Sequence, residues 1–420
     1  MEEILYYIWK FRLFQKDLKT TDGLPIEVID VGILNTNGGP DFFNAKLKIG
    51  DEMWAGNIEI HRSSDEWVKH NHHTNKTYNS VILHVVEKAN CKVFNEKGQS
   101  IPQCELTYPA HIKENYQFLI HSDIDIPCCN YIGSMSSFHL NSWMNALLIE
   151  RLERKANHIQ ELLTKFENSW EDVFYILLSR NFGFGLNSDS FERLALSLPL
   201  KFIQKQGDNL IQIEALLFGQ SGMLDNLKIG DEYFGLLRKE YEFLKNKYEL
   251  KPLESYIFKN MRVRPTAFPQ IRLAQLAALL HSSHGLFSKV TGCDDLGRIR
   301  LMFHVNASEY WQTHYSFGTA TERKSKYLGD ASLDILLINT VAPMLFIYGK
   351  IIDSERHCER ALRFLEELKP ERNSITKRFE KLKMPLKNAA DSQAMIQLKR
   401  EYCELRKCLF CRIGHQLLTS

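Results

Sequence analysis

Strand signals in this chain are confined to the residues before Pro127, and almost everything after it reads as helix. Val81–Glu87 is a β-branched run of the kind found in a central strand. Phe42–Ile49 and Met53–His61 form a hairpin candidate joined through Gly50-Asp51-Glu52, and Pro25–Val31 precedes them as a shorter strand. Cys91–Phe94 and Ile101–Leu106 read as edge strands, and residues 1–13 as an amphipathic helix on Ile4, Leu5, Ile8, Trp9 and Leu13. Past Pro127 the period changes. Asn141–Phe166 sets Leu147, Leu148, Leu152, Ile159 and Leu162 among charged residues. Further helices are expected over 170–182, 208–218, 231–248, 269–282, 331–348, 354–368 and 391–414. The expected class is α+β: a mixed α/β domain over 1–130, then a helical domain over 131–420, with the boundary near 127–138.

Composition narrows the functions. Lys and Arg total 53 against 51 Asp and Glu, a net charge of +2, so any nucleic-acid binding must rest on a local patch. The acidic start Met1-Glu2-Glu3 lacks the basic and apolar segments of a signal peptide. Asp334, Asn339 and Pro343 interrupt the apolar stretch Leu333–Tyr348, which reads as a buried core helix rather than a membrane span. Nine cysteines without a secretion signal favour reduced thiols or metal ligands over a disulfide framework, and hence the cytoplasm. No phosphate loop and no complete dinucleotide-binding glycine motif is present.

The chemistry-bearing candidates lie in the hairpin. Side chains alternate along a strand, so Glu59 and His61 share one face while Ile58 and Ile60 fill the other. A three-residue loop, with Ile49 opposite Met53, sets Asp41 across from His61 and Phe43 across from Glu59. Asp41, Glu59 and His61 then converge at the open end of the hairpin. Two carboxylates so placed repel unless a divalent cation lies between them; oxygen donors suit Mg²⁺ or Mn²⁺, and the imidazole tilts the choice towards Mn²⁺. Spacing alone also fits Asp41 capping a turn and Glu59 and His61 on a solvated face, although the apolar neighbours Trp54, Ile58 and Ile60 point to a strand inside the sheet.

Pro40-Asp41, the hairpin and Glu59-Ile60-His61 resemble the signature of the PD-(D/E)XK nuclease superfamily. The order of a helix, a strand, the motif hairpin, a helix and an apolar strand fits as well. The resemblance implies a restriction-endonuclease-like first domain, Asp41 and Glu59 as metal ligands, Glu2 or Glu3 as the first-helix acid, and nucleic acid as the partner. His61 occupies the place of the usual lysine; imidazole can ligate a metal or take a proton, but it is not a permanent cation. The expected function is metal-dependent phosphodiester hydrolysis of DNA or RNA, with a catalytically inactive nuclease-like module, binding nucleic acid or protein through its helical region, as the alternative. Over most of its length the chain also resembles an uncharacterised bacterial family of unknown function. The matching stretches are Gly39-Pro40-Asp41-Phe42-Phe43-Asn44-Ala45, Gly56–His61, Arg264-Pro265 with Phe268-Pro269, and Arg272–Leu276.

Two further clusters stand out. Five of fifteen histidines lie between His61 and His84. His70 and His73 would share a face if Trp67–His73 is helical, enlarging a metal site with His61, whereas His72 is expected in a polar loop and His84 as a hydrogen-bonded core residue. At the other end, Cys403-x4-Cys408-x2-Cys411 matches the three-cysteine spacing of plant-type iron–sulfur proteins, for which Cys128 or Cys129 could supply the fourth thiolate. Some nucleases of the superfamily named above pin their two ends with such a cluster. Zinc, or simple burial of small apolar thiols on an amphipathic helix, fits the same residues.

Overall fold

The computed structural model describes residues 2–225, 231–261 and 263–419. They fall into two compact units, Met1–Trp143 with Leu398–Ser420, and Met144–Gln397.

The first unit is built on one mixed sheet. Helix α1 spans Glu2–Lys10, followed by strands β1 (Ile26–Asp30), β2 (Ile33–Leu34), β3 (Phe42–Ile49), β4 (Glu52–Ser63), β5 (Val81–Lys88) and β6 (Gln103–Glu105). The order is β1-β3-β4-β5-β6, with β2 beside the end of β3. β1, β3 and β4 run antiparallel, whereas β5 and β6 add in parallel. Val81 to Val86 are all buried, as a strand covered on both faces requires. Cys91–Phe94 is not a strand; only an isolated bridge from Phe94 to Ser100 forms there.

The hairpin differs from expectation in an instructive way. Ile49 pairs with Glu52, so the loop is Gly50-Asp51 and not three residues. On that register alone Asp41 would face away from Glu59. A bulge restores the phase, because Ala45 pairs with Gly56 but Phe42 pairs with Ile58. Phe43 and Asn44 together oppose Asn57, and Asn44 takes the left-handed backbone (φ 58°) that Asn tolerates better than most residues. The Asn57 Oδ1 accepts the Asn44 N–H at 3.1 Å, while its amide donates to Ser80 Oγ at 2.8 Å, so the bulge leaves no stranded donor. Gly56 is required by close approach: a Cβ there would lie 2.4 Å from Ile82 Cγ2 and 2.7 Å from the Ser80 carbonyl.

The connection from β4 to β5 holds a short helix α2 (Glu66–Lys69) and two 3-10 turns, His72–Thr74 and Lys76–Ser80. Trp67, Tyr78, Val81, Val93 and Ile101 pack as a small core. Helix α3 (Ala110–His121), unforeseen in the sequence, and the C-terminal helix Arg412–Thr419 pack together, with Asn115 Nδ2 donating to the Leu417 carbonyl at 3.0 Å. The expected assignment of all of 131–420 to the helical domain is corrected by this return of Leu398–Ser420 to the sheet-bearing unit.

The second unit is helical and carries no strand among the described residues, only isolated bridges at Asn306–Tyr327 and His314–Ala320. Trp170–Phe182, Leu210–Gln220, Glu232–Tyr248, Pro269–Ser282 and Glu355–Glu367 fall close to their expected spans, whereas the short helices Ser188–Ser197, Leu296–Phe303 and Ser374–Lys381 were not expected. Asp330–Ile351 is apolar and long enough to cross a membrane by length and composition, yet 72% of its most apolar window is buried inside the protein. The expected continuous helix over 391–414 is broken: Ala389–Gln397 passes into a wider π turn over Leu398–Cys403, Arg406 turns left-handed (φ 52°), and helix resumes only at Arg412.

Candidate metal centre

Asp41 and Glu59 meet across the bulged hairpin. The Ile60 N–H donates to Asp41 Oδ2 at 2.8 Å, and the Asp41 N–H donates to Glu59 Oε2 at 3.2 Å. Each carboxylate is thus oriented by the opposing strand. Upstream, the Asn35 amide closes the Asn35–Pro40 turn by donating to the Pro40 carbonyl at 3.0 Å, which fixes the approach of Asp41.

Around Glu59 stand imidazoles. Its Oε1 lies 3.1 Å from His72 Nε2 and 3.5 Å from His61 Nε2. His61 Nε2 is 3.1 Å from His70 Nδ1, and its Nδ1 is 2.9 Å from His84 Nε2. The donor atoms of His61, His70 and His72 all lie within 4.8 Å of one another. His61, His72 and His84 are buried, whereas His70 is exposed and gives the cluster a solvent side.

His72 rather than His73 therefore joins the group. Helix α2 stops at Lys69, and Asn71 adopts a left-handed conformation (φ 61°) that starts a new turn and swings His72 inward. There it stacks on Tyr78 with ring centres 3.8 Å apart. The helical spacing on which His70 and His73 would have shared a face is never formed, and His73 Nδ1 is buried without a hydrogen-bond partner. His84, opposite Glu59 in the β4–β5 register, holds His61 in place. Its position was derivable from that register; that of His72 depended on one residue's left-handed backbone, which an Asn permits but does not require.

Electrostatics mark the site as charge-starved. Burial, then the charge of Glu59, pushes the Asp41 carboxyl up to about 7. Burial pushes Glu59 up to about 8, with Glu2 adding to the effect. His61 is pushed down to about 2, first by burial and then by the neighbouring His84, His72 and His70. His84 falls to about 3 through burial, so both rings are neutral and keep a lone pair. Tyr6 from α1 hydrogen-bonds Asp41, and burial raises its phenol strongly. No Lys or Arg pairs with either carboxylate among the described residues. Glu2, one of the two acids expected from the first helix, acts on Asp41 and Glu59 through its charge; Glu3 instead lines a neighbouring cavity.

That cavity, ≈ 540 Å³, is bounded by α1 and the C-terminal segment. Tyr6, Tyr7, Phe11, Phe410 and His415 supply rings, and Lys10 and Arg412 supply positive charge. Each end of the chain contributes both kinds, Tyr6, Tyr7, Lys10 and Phe11 from one and Phe410, Arg412 and His415 from the other, a convergence that only the fold reveals. Arg151, Arg154 and Lys155, candidates for phosphate contact, are instead engaged with Gln393, Gln397 and Asn339 within the second unit.

The cysteines also assemble. Cys128, Cys403 and Cys411 are buried and Cys408 is half-buried, although Cys403, Cys408 and Cys411 do not lie on one continuous helix as expected.

Fold and centre together define an α/β protein with a helical second unit and a buried carboxylate–imidazole cluster. The chain belongs to the family described as protein of unknown function (DUF2851), whose family model matches residues 2–374. Comparison with curated proteins and with solved structures gave no match.

Proposed function

We propose that the protein is a divalent-metal-dependent phosphodiesterase acting on nucleic acid, with its ion held by Glu59, Asp41, His61, His70 and His72. One observation carries this reading: a buried carboxylate (Glu59), a half-buried one (Asp41) and three imidazoles converge with no Lys or Arg among the described residues to balance them. An ion with bonds of ~2.0–2.2 Å spaces neighbouring donors by about 3–3.5 Å. The separations Glu59 Oε1–His72 Nε2 (3.1 Å), Glu59 Oε1–His61 Nε2 (3.5 Å) and His61 Nε2–His70 Nδ1 (3.1 Å) are of that order. Imidazole-rich donors favour Mn²⁺ or another first-row transition ion over Mg²⁺.

The residues then divide the work. His61 serves as a ligand, because His84 engages its Nδ1 and leaves Nε2 aimed at Glu59. Asp41 and Glu59 contribute negative oxygens fixed by backbone N–H groups. A bound divalent ion supplies Lewis acidity and lowers the pKa of water. His70, on the exposed side, marks where a substrate phosphate enters. The element order around the hairpin supports the resemblance to the PD-(D/E)XK superfamily, and the aromatic, basic cavity beside Tyr6 is of a size that takes a nucleotide.

The test is cleavage of single- and double-stranded DNA and RNA by the full chain with Mn²⁺, Mg²⁺ or chelator, beside Glu59→Gln. Mn²⁺-dependent cleavage that Glu59→Gln abolishes is the expected result. Equal activity in both proteins removes Glu59 from the mechanism. Binding without cleavage under every metal places the protein among catalytically inactive nuclease-like modules.

A further inference from the structure

A second centre stands apart from the histidines. We infer that Cys128, Cys403, Cys408 and Cys411 hold an iron–sulfur cluster that ties the C-terminal segment to the sheet-bearing unit.

Three of the thiols lie within one short segment and Cys128 far from it in the chain, yet every pair among the four is within electrostatic range. Cys403 is within electrostatic range of Cys128, Cys408 and Cys411; Cys128 of Cys408 and Cys411; and Cys408 of Cys411. The backbone is shaped to bring them together. After Cys403 the chain leaves its helix, turns left-handed at Arg406, and makes a tight turn in which the Cys411 N–H donates to the Cys408 carbonyl at 3.2 Å. The C-terminal helix lies hard against that turn, since a Cβ on Gly414 would meet the Cys408 carbonyl oxygen at 2.1 Å. Arg406 donates to the carbonyls of Ser122 (2.7 Å) and Ile124 (3.1 Å), and the Lys399 ammonium lies 2.8 Å from Asp125. These bonds fasten the 403–411 loop to the strand of chain that ends in Cys128.

The environment suits a bound anion of metal and sulfide. Burial pushes the Cys128 thiol up to about 12 and Cys408 up to about 11, so without a metal these sulfurs stay protonated and unreactive. Metal binding releases those protons to solvent and leaves thiolates. Arg406 acts on Cys408 and Lys399, shared with Asp125 and Glu404, acts on Cys403, both in the direction that favours thiolate.

The cysteine spacing favours a cluster over zinc. A tetrahedral zinc ion with ~2.3 Å bonds draws its sulfurs to about 3.8 Å of one another. The imidazole donors of the first site close to within 4.8 Å; among the described residues the thiols form no such compact trio, although all of them interact. A cluster several ångströms across, with iron bridged by sulfide, spans that wider arrangement, and Cys-x4-Cys-x2-Cys with a distant fourth cysteine is a spacing that such clusters use.

This assignment is independent of the role of Glu59, and the experiment keeps them separate. The full chain, purified without oxygen, reconstituted with iron and sulfide and then treated with chelator to strip any iron from the histidine centre, is expected to hold iron and acid-labile sulfide in equal amounts and to absorb in the visible. Cys128→Ser, Cys403→Ser, Cys408→Ser and Cys411→Ser should each lose at least about tenfold in bound iron, since even outer-shell losses cost that much affinity. Cys91→Ser should retain it, and Glu59→Gln should keep its acid-labile sulfide and visible absorption, which the histidine centre does not supply. Cys408, the one thiol of the four that is not buried, gives the variant least able to disturb packing, and circular dichroism confirms that it folds. Protein with neither iron nor sulfide, stoichiometric zinc without sulfide, or full iron retention in Cys408→Ser and Cys403→Ser overturns the assignment.

Discussion

Replacing Glu59 with Gln should stabilise the metal-free protein at alkaline pH, an unusual direction for a mutation at a buried strand position. Glu59 is 4% exposed, and its carboxyl sits at about 8 in the fold against 4.5 ordinarily. Folding therefore takes up a proton between those values, so stability is fullest below pH 4.5 and falls as pH rises towards 8. Each pH unit in that window costs about 1.4 kcal/mol, so the loss for Glu59 is on the order of 4 kcal/mol by pH 8. Gln removes the charge yet keeps an oxygen to accept the Asp41 N–H, so its stability should vary far less with pH; what slope remains comes from Asp41, raised to about 7. Urea unfolding in chelator at several pH values, with hydrogen exchange of the β4 amides to report on the first unit, measures this directly. Adding Mn²⁺ should reverse the order at pH 8, because the wild-type site gains binding energy that the amide loses. Parallel pH curves for the two proteins, or a variant less stable at every pH, would refute the idea that uncompensated charge dominates this site.

Three other outcomes are expected. In Mn²⁺ titrations by calorimetry, His72→Ala and His70→Ala should each weaken binding at least about tenfold, whereas His73→Ala should leave it unchanged. Deleting Asn44 should abolish metal binding while the hairpin still forms, and Asn44→Gly should preserve it; Asn44→Val should cost about 1–2 kcal/mol in thermal or urea unfolding for a branched side chain forced left-handed. Gly56→Ala should destabilise the protein by about 1–3 kcal/mol, the usual penalty for overpacking, because Ser80 backbone stands in the path of the new methyl; a neutral result by urea unfolding would show that β5 can yield.

The parts of this molecule that follow from periodicity were readable in advance. The hairpin, the buried run at Val81 and the long helices are direct consequences of alternation and amphipathic spacing. Asp41 and Glu59 were expected on one face, and they are, but through two departures that cancel: the loop is one residue shorter, and Asn44 adds one residue back. A phase break of this kind is invisible to alternation because it depends on the Asn57 side chain, thirteen residues beyond Asn44, satisfying an amide that the ladder abandons. His72 was passed over for a similar reason, a single left-handed Asn71 that ends one helix and begins another turn. The break at Arg406 hid the true arrangement of the cysteines, since apolar residues on either side of it keep a helical rhythm straight through.

Because Leu398–Ser420 belongs with Met1–Trp143, the unit that is synthesised first is also the one that must wait longest. On the ribosome, the sheet would emerge while all of Met144–Gln397 is still to be made, with Tyr7 lacking the His415 partner and Asn115 lacking Leu417. During that interval the helical insert can complete its own core, while α1 and α3 lack the C-terminal residues they bond to. Stalling or truncating translation ahead of Leu398 should accordingly yield a protein whose middle is protected from protease while its N-terminal portion is digested.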